Sequence, residues 1–286
     1  MTLSLYDLLV APFEGFAFMR VALAACLALA LSSAPLGVLL LLRRMALDGN
    51  VLSFAVMPGA ALGFVYAGHS LAAMSIGGFA SGAGVATLTG MARRGRQDAG
   101  LVVFYLVALA LGVTLVAYFG SNSDVLRVLF GTVLAIDATA LLQIATVSSI
   151  TVLAIAVFYR AMMVETFDPV FLRLSGGHGW RVLFMLLLLL NLTVSFQAFG
   201  TLLAIGPVLL PAAIARCWTN RPGPMMALAV LAGLVASYLG LLLSYHRNLP
   251  SGPAIVMVAG LMYGASLLMT AGLAALKPTR RRGEET

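Results

Sequence analysis

Apolar residues fill long unbroken stretches of this chain, and polar positions gather between them. The stretches 17–42, 51–68, 70–91, 100–119, 138–159, 225–245 and 253–276 are each long enough to cross a hydrocarbon core of about 30 Å as a helix. None alternates polar with apolar as a spanning β-strand must, and VLFMLLLLL at 182–190 is the opposite of that pattern. An all-α, polytopic helical membrane protein is expected.

Two places break the regularity. The run 182–217 is too long for one crossing and barely enough for two, and it contains Asn191, Gln197, Gly200, Gly206, Pro207 and Pro211. Two short or broken helices meeting near Phe199 and Gly200 are expected there. The stretch LFGTVLAID ahead of 138–159 reads as an interfacial or re-entrant lead-in that ends at Asp137. The count is nine spans with an external N-terminus, or eight if one broken segment is re-entrant. A single transmembrane domain covers residues 1–286.

Composition sharpens this. Of 286 residues 62% are hydrophobic and 9% charged, against about 25% charged in a soluble domain. The net charge of +7 does not point to nucleic acid, because the bases sit at helix ends. Arg43 and Arg44, Arg93, Arg94 and Arg96, Arg160, Arg173 and Arg181, Arg216 and Arg221, and the tail 277–286 follow the positive-inside pattern. That pattern predicts a multi-pass protein of the cell inner (plasma) membrane with a cytoplasmic C-terminus. The run 17–42 is too long for a signal peptide, and its basic pair follows it. Cys26 and Cys217 are far apart and form no disulfide or thiolate motif.

No catalytic constellation is present in the letters. No Glu follows a His, so a His-Glu-x-x-His metalloprotease is excluded, and Lys277 is the only lysine, which excludes a phosphate-binding Gly-Lys loop. The three histidines, His69, His178 and His246, fall in loops. The chain reads as a non-enzyme with no cofactor of its own; any ATP is used by another polypeptide. A carrier or channel remains, and its path would be marked by sparse intramembrane polar groups: Asn50, Ser53, Asp137, Asn191, Ser195, Gln197 and Asn248. Gly and Pro breaks beside them at 193–211 are the usual sign of backbone lining a pathway. Gly78 with Gly82, and Ala80 with Gly84, offer small-residue faces for close helix contact.

Five stretches in order resemble one family: RRMALDGNVLSFAVMPGAALGF (43–64), LFGTVLAI (129–136), FDPVFLRLSG (167–176), TVSFQAFGTLLAIGPVLLPAAIAR (193–216) and NLPSGPAIVM (248–257). They are similar to the zinc/manganese-type permeases of ATP-binding-cassette importers. The resemblance implies a type II importer-like fold, a homodimer, a cytoplasmic ATP-binding subunit and an extracytoplasmic solute-binding protein that delivers a divalent metal, zinc first and manganese next. It also implies that about 165–180 forms a coupling helix seated on the ATPase. Asp168 suits an N-cap there, Pro169 a first turn, Phe171 and Leu172 a docking face, and Gly176 the helix end.

The chain departs from the family pattern along the expected path. Where relatives read Gly-Asp-x-x-(Ser/Ala)-His, it has Gly49-Asn50-Val51-Leu52-Ser53-Phe54, and Thr132 and Asn248 stand where acids are common. Candidate path residues are therefore Asn50, Ser53, Phe54, Gln197 and Asn248, with no metal-ligand set assembled. Three readings stay open: a path that binds its ion weakly so that the ion can leave, a charge supplied by Asp48, or a cargo that is a metal chelate or cobalamin-like ligand. An ATP-independent transporter is the remaining alternative.

Overall fold

The computed structural model describes residues 11–67, 70–92, 98–120, 128–131, 133–168 and 179–276. The described residues are helical throughout: α1 (Ala11–Gly15), α2 (Ala17–Leu42), α3 (Ala46–Ala67), α4 (Leu71–Ala92), α5 (Asp98–Phe119), a 3-10 turn at Val133–Ala135, α6 (Ala138–Phe167), α7 (Trp180–Phe199), α8 (Gly206–Trp218), α9 (Pro222–Arg247) and α10 (Ser251–Leu276). Gly and Pro set most boundaries. Gly200 ends α7, and α8 and α9 both begin with Pro in the first turn, where a missing N–H costs nothing.

Among the described residues six helices are long and apolar enough to cross a membrane: α2, α3, α6, α7, α9 and α10. The expected eight or nine crossings are therefore not confirmed. The shortfall has local reasons. α8 has 13 residues, a rise of about 20 Å, which is less than a hydrocarbon core. α4 and α5 have 22 residues each, and within them the stretches Leu71–Thr87 and Leu106–Phe119 are apolar among the described residues. The predicted division of 182–217 is found, with α7 and α8 separated at 200–205. The span expected at 138–159 continues to Phe167 and leaves helical geometry only at Phe158 (φ −100, ψ 15).

α2 is the central element. It packs against α6, α8 and α9, and its residues contribute to three buried clusters. One is built on Leu36, Leu40, Val56, Phe184 and Leu188, one on Met19, Leu29, Ile144, Phe199 and Leu241, and one on Ala34, Val38, Ala212 and Met225. α3 and α4 meet through glycines: a Cβ on Gly59 would strike the Gly77 carbonyl, and one on Gly63 the Ala73 carbonyl. Close backbone approach of this kind is what holds helices together where lipid removes the hydrophobic drive. Of the small residues expected to serve contacts, Gly78 faces Val56 and Gly82 faces Leu189, whereas Gly84 has nothing within 4 Å. α6 and α10 leave broad apolar faces open, including Leu142, Leu153, Val157, Leu261 and Leu268.

Candidate functional site

The break between α7 and α8 is built from backbone held by backbone. The Thr201 N–H donates to the Val128 carbonyl at 3.0 Å and the Leu202 N–H to the Leu129 carbonyl at 3.3 Å. The Thr201 hydroxyl also reaches Val128 O, at 3.3 Å, and Thr201 is fully buried. Gly131 (φ 72) and Gly200 (φ 77) take conformations that favour glycine. A Cβ on Gly252 would lie 2.8 Å from the Phe130 carbonyl oxygen and 3.4 Å from that of Phe199. Three of the five motifs therefore meet at one place. Non-helical backbone is tolerated at membrane depth only when protein buries it in this way.

Beside this junction lies a cavity of about 560 Å³, walled by the ends of α3, α4, α5, α6 and α7. Most of its lining is apolar, including Phe64, Met74 and Phe196, with Asp137, Gln143 and Gln197 among the few polar groups. A mostly apolar hollow with a few convergent polar atoms is the usual form of a small-ligand site. Asp137 is the N-cap of α6. Its carboxylate accepts from the Ala140 N–H at 2.8 Å and the Thr139 hydroxyl at 2.8 Å. Those bonds, the Ala140 N–H first, hold the carboxyl below its ordinary range and keep it charged.

Gln197 and Gln143 approach each other through Ser75. The Gln197 amide donates to the Ser75 hydroxyl, and Ser75 in turn contacts Leu71 O at 2.8 Å and Gln143 Oε1 at 3.5 Å. One hydroxyl proton cannot serve both, and the shorter contact takes it. Gln143 therefore keeps acceptor capacity, and Gln197 Oε1 is buried with no hydrogen-bond partner.

The remaining intramembrane polar groups have other duties. Asn191 Nδ2 donates to Ser32 Oγ at 2.7 Å, and Ser32 contacts Ser148 Oγ at 3.1 Å, which ties α7 to α2 and α6. Asn191 Oδ1, Ser195 Oγ and Ser53 Oγ are buried without partners. At the far end of the molecule Arg43 is enclosed. Its guanidinium meets Glu165 at 3.5 Å, Thr166 Oγ1 at 3.1 Å and Met162 O at 3.4 Å, and lies 4.1 Å from the centre of the Phe184 ring.

The residues expected along the path do not form one cluster. Asn50, Ser53 and Phe54 occupy the first turns of α3, near the Arg43 end; Asn50 and Phe54 are half-buried and Ser53 is buried. Gln197 lines the cavity at the opposite end. Asn248 is exposed and caps α9 in the left-handed conformation (φ 51, ψ 37), a backbone duty that asparagine tolerates. Asp168 follows α6 and donates its N–H to Val164 O at 2.8 Å. Pro169, Phe171, Leu172 and Gly176 lie outside the described residues. Sequence reasoning did not single out Ser75 or Gln143. Gln143 had the same signal as Gln197, a lone amide within an apolar span, whereas Ser75 is too ordinary to carry one. Among the described residues no group of three or more His, Cys, Asp or Glu could hold a metal ion.

The ABC 3 transport family matches residues 15–270. The manganese transport system membrane protein MntC of Listeria monocytogenes is 31% identical over 258 residues, 88% of this chain and 91% of that protein. The chelated iron transport system membrane protein YfeD of Yersinia pestis is 31% identical over 269 residues, 92% and 89% of the two chains. A chain of PsaBC from Streptococcus pneumoniae, solved in complex with Fab, superposes with a TM-score of 0.83 at 27% identity, over 90% of this chain and 93% of that one. Matched along nearly its whole length in both sequence and helix arrangement, the chain belongs to the ABC 3 transport family, as a polytopic membrane permease.

Proposed function

We propose that this chain is the membrane-spanning subunit of an ATP-driven importer of divalent metal ions, with manganese ahead of zinc. The observation that carries the reading is the cavity at the Asp137 end, a mostly apolar hollow whose few polar groups are oxygen donors, beside a buried break in the helical wall. Manganese accepts oxygen donors readily, whereas zinc is best served by imidazole or thiolate, and neither occurs among the described residues that line the cavity. The relatives named for manganese support the same order. Zinc remains the second cargo.

The positive-inside pattern places Arg43, Arg216 and the C-terminal tail in the cytoplasm, and the Asp137 end therefore outside. A solute-binding protein docks at that outer end, and two copies of this chain form the permease. A separate ATPase engages the segment beginning at Asp168, and its closure rocks the two copies so that the path opens to alternate sides. This chain performs no chemistry. It converts motion into access, and a path with no strong metal site lets the ion leave.

A chelate cargo is the second reading, favoured by the apolar lining of the cavity and by the relative named for chelated iron. Expression with its ATPase and binding protein, in cells lacking their own manganese and zinc importers, separates the two readings. Elemental analysis should show manganese recovery that Asp168→Lys abolishes with the protein still in the membrane. Recovery only when a chelator accompanies the metal would favour the second reading. Recovery of neither would refute both.

A further inference from the structure

We propose that the cavity at the Asp137 end is a holding site for a hydrated divalent cation, bound through oxygen by Asp137, Gln143 and Gln197. The inference rests on the metal-import reading and deepens it by assigning a resting place and a donor set to the cargo.

Three observations converge on this site. Asp137 is the only ionisable side chain among the described residues of the lining, and it makes their contribution to the hollow electronegative. Its carboxylate uses one lone pair on each oxygen for the α6 cap, and each oxygen keeps a second that can accept from a metal-bound water or meet the metal itself. Gln197 Oε1 is buried in the wall without a partner, at a cost of about 1–3 kcal/mol, and a small turn of the amide toward the cavity would let a metal-bound water donate to it. Gln143 adds a third oxygen, because the Ser75 proton is committed to Leu71.

The size also fits. Six waters at about 30 Å³ each need roughly 180 Å³, well inside a cavity of about 560 Å³. The ion can therefore rest there without losing its hydration shell, the step that costs a divalent cation most. One carboxylate and two amides bind weakly, as suits a cargo that must move on. The donor set also fixes what the site cannot do. Among the described residues it has no imidazole or thiolate, and the Met74 thioether is neutral and offers little to a hard ion. Manganese is therefore held at least as well as zinc, by a margin of about tenfold or less.

Binding of Mn2+ to the purified full chain in lipid nanodiscs, read from loss of the six-line electron paramagnetic resonance signal of the free ion, tests the site. Asp137→Asn should weaken binding at least fivefold while keeping the helix formed, since asparagine also caps, though less strongly than the charged carboxylate. Gln143→Glu should tighten it several-fold, a gain that misfolding cannot imitate. Zn2+ should compete with an apparent affinity within about tenfold of that of Mn2+. Unchanged binding in Asp137→Asn, no gain in Gln143→Glu, or a zinc preference above a hundredfold would each overturn the site. Metal import by the wild-type assembly is measured beside it. Import with binding that ignores both variants removes the site and leaves the importer, whereas binding as expected without import does the reverse.

Discussion

Gly131 and Gly200 are packed backbone against backbone, so closely that a Cβ on Gly200 would lie 2.5 Å from the Gly131 nitrogen. Both hold positive φ, 72 and 77, and they join the segment before α6 to the break after α7. Alanine at either position faces two penalties. The left-handed conformation costs roughly 1–2 kcal/mol, and the new methyl meets carbonyls and amides that cannot turn aside as a side chain would. Gly131→Ala and Gly200→Ala should each cost more than about 3 kcal/mol by that reasoning, read as loss of monodisperse protein in detergent. Gly84→Ala, with nothing within 4 Å, should be neutral or slightly stabilising.

The Arg43 cluster is a second joint, and its burial sets the size of the effect. The Arg43 and Glu165 side chains are 7% and 11% exposed. Removing one partner of a buried pair leaves an uncompensated charge, at a cost of about 3 kcal/mol. Arg43→Ala should therefore lower the thermal unfolding midpoint clearly. Glu165→Gln should lower it less, because it removes the charge but keeps a hydrogen-bonding oxygen. Arg43→Lys should not restore the wild type, since a single ammonium cannot reach Thr166 and Glu165 together while stacking on Phe184. Midpoints of the three variants measured in nanodiscs decide this, and a full rescue by lysine would show that only the charge matters.

The helices were legible from the run of apolar residues because lipid forces every spanning backbone to satisfy itself. The division near Gly200 was legible for a related reason, since Gly and Pro mark where that rule is suspended. The candidate site was only partly legible. Gln197 stood out as an amide in an apolar run, but Asn50 and Ser53 looked equally suitable and lie at the other end of α3. Periodicity says which residues share a helix and leaves open which ends of different helices meet. The Gly59–Gly77 contact shows the same limit: the small-residue faces legible in the letters were Gly78 with Gly82 and Ala80 with Gly84, and nothing named Gly59 and Gly77 as partners.

Asn191 presents a smaller, sharper case. It donates to Ser32 at 2.7 Å while its own Oδ1 is buried without a partner. Interhelical hydrogen bonds in membranes average about 0.6 kcal/mol, and an orphaned carbonyl subtracts more than that. Asn191→Leu removes both terms and adds some bulk to a packed site, so the gain and the overpacking should leave it within about 1 kcal/mol of the wild type. Asn191→Ala leaves a void among packed helices and should cost about 2 kcal/mol. Unfolding midpoints would place alanine lowest, with wild type and leucine close together above it. An alanine variant as stable as the leucine variant would mean that the surrounding helices collapse into the space.

Asp137 carries the one pH dependence that the geometry fixes. Its carboxyl is held below the ordinary carboxylate range by the Ala140 N–H and the Thr139 hydroxyl, so the folded protein binds its proton less readily than the unfolded chain does. The stabilisation is therefore complete at every pH above the ordinary carboxylate range and is lost as pH falls through the lowered folded value. Wild type should lead Asp137→Asn in unfolding midpoint at pH 7, because a charged acceptor makes the stronger cap. That lead should hold at pH 5 and shrink only in more acidic buffer. Mn2+ binding should follow the same course, flat from pH 7 to pH 5 as far as Asp137 is concerned. A lead that decays between pH 7 and pH 5 would mean that the cap does not act through the Asp137 carboxylate alone.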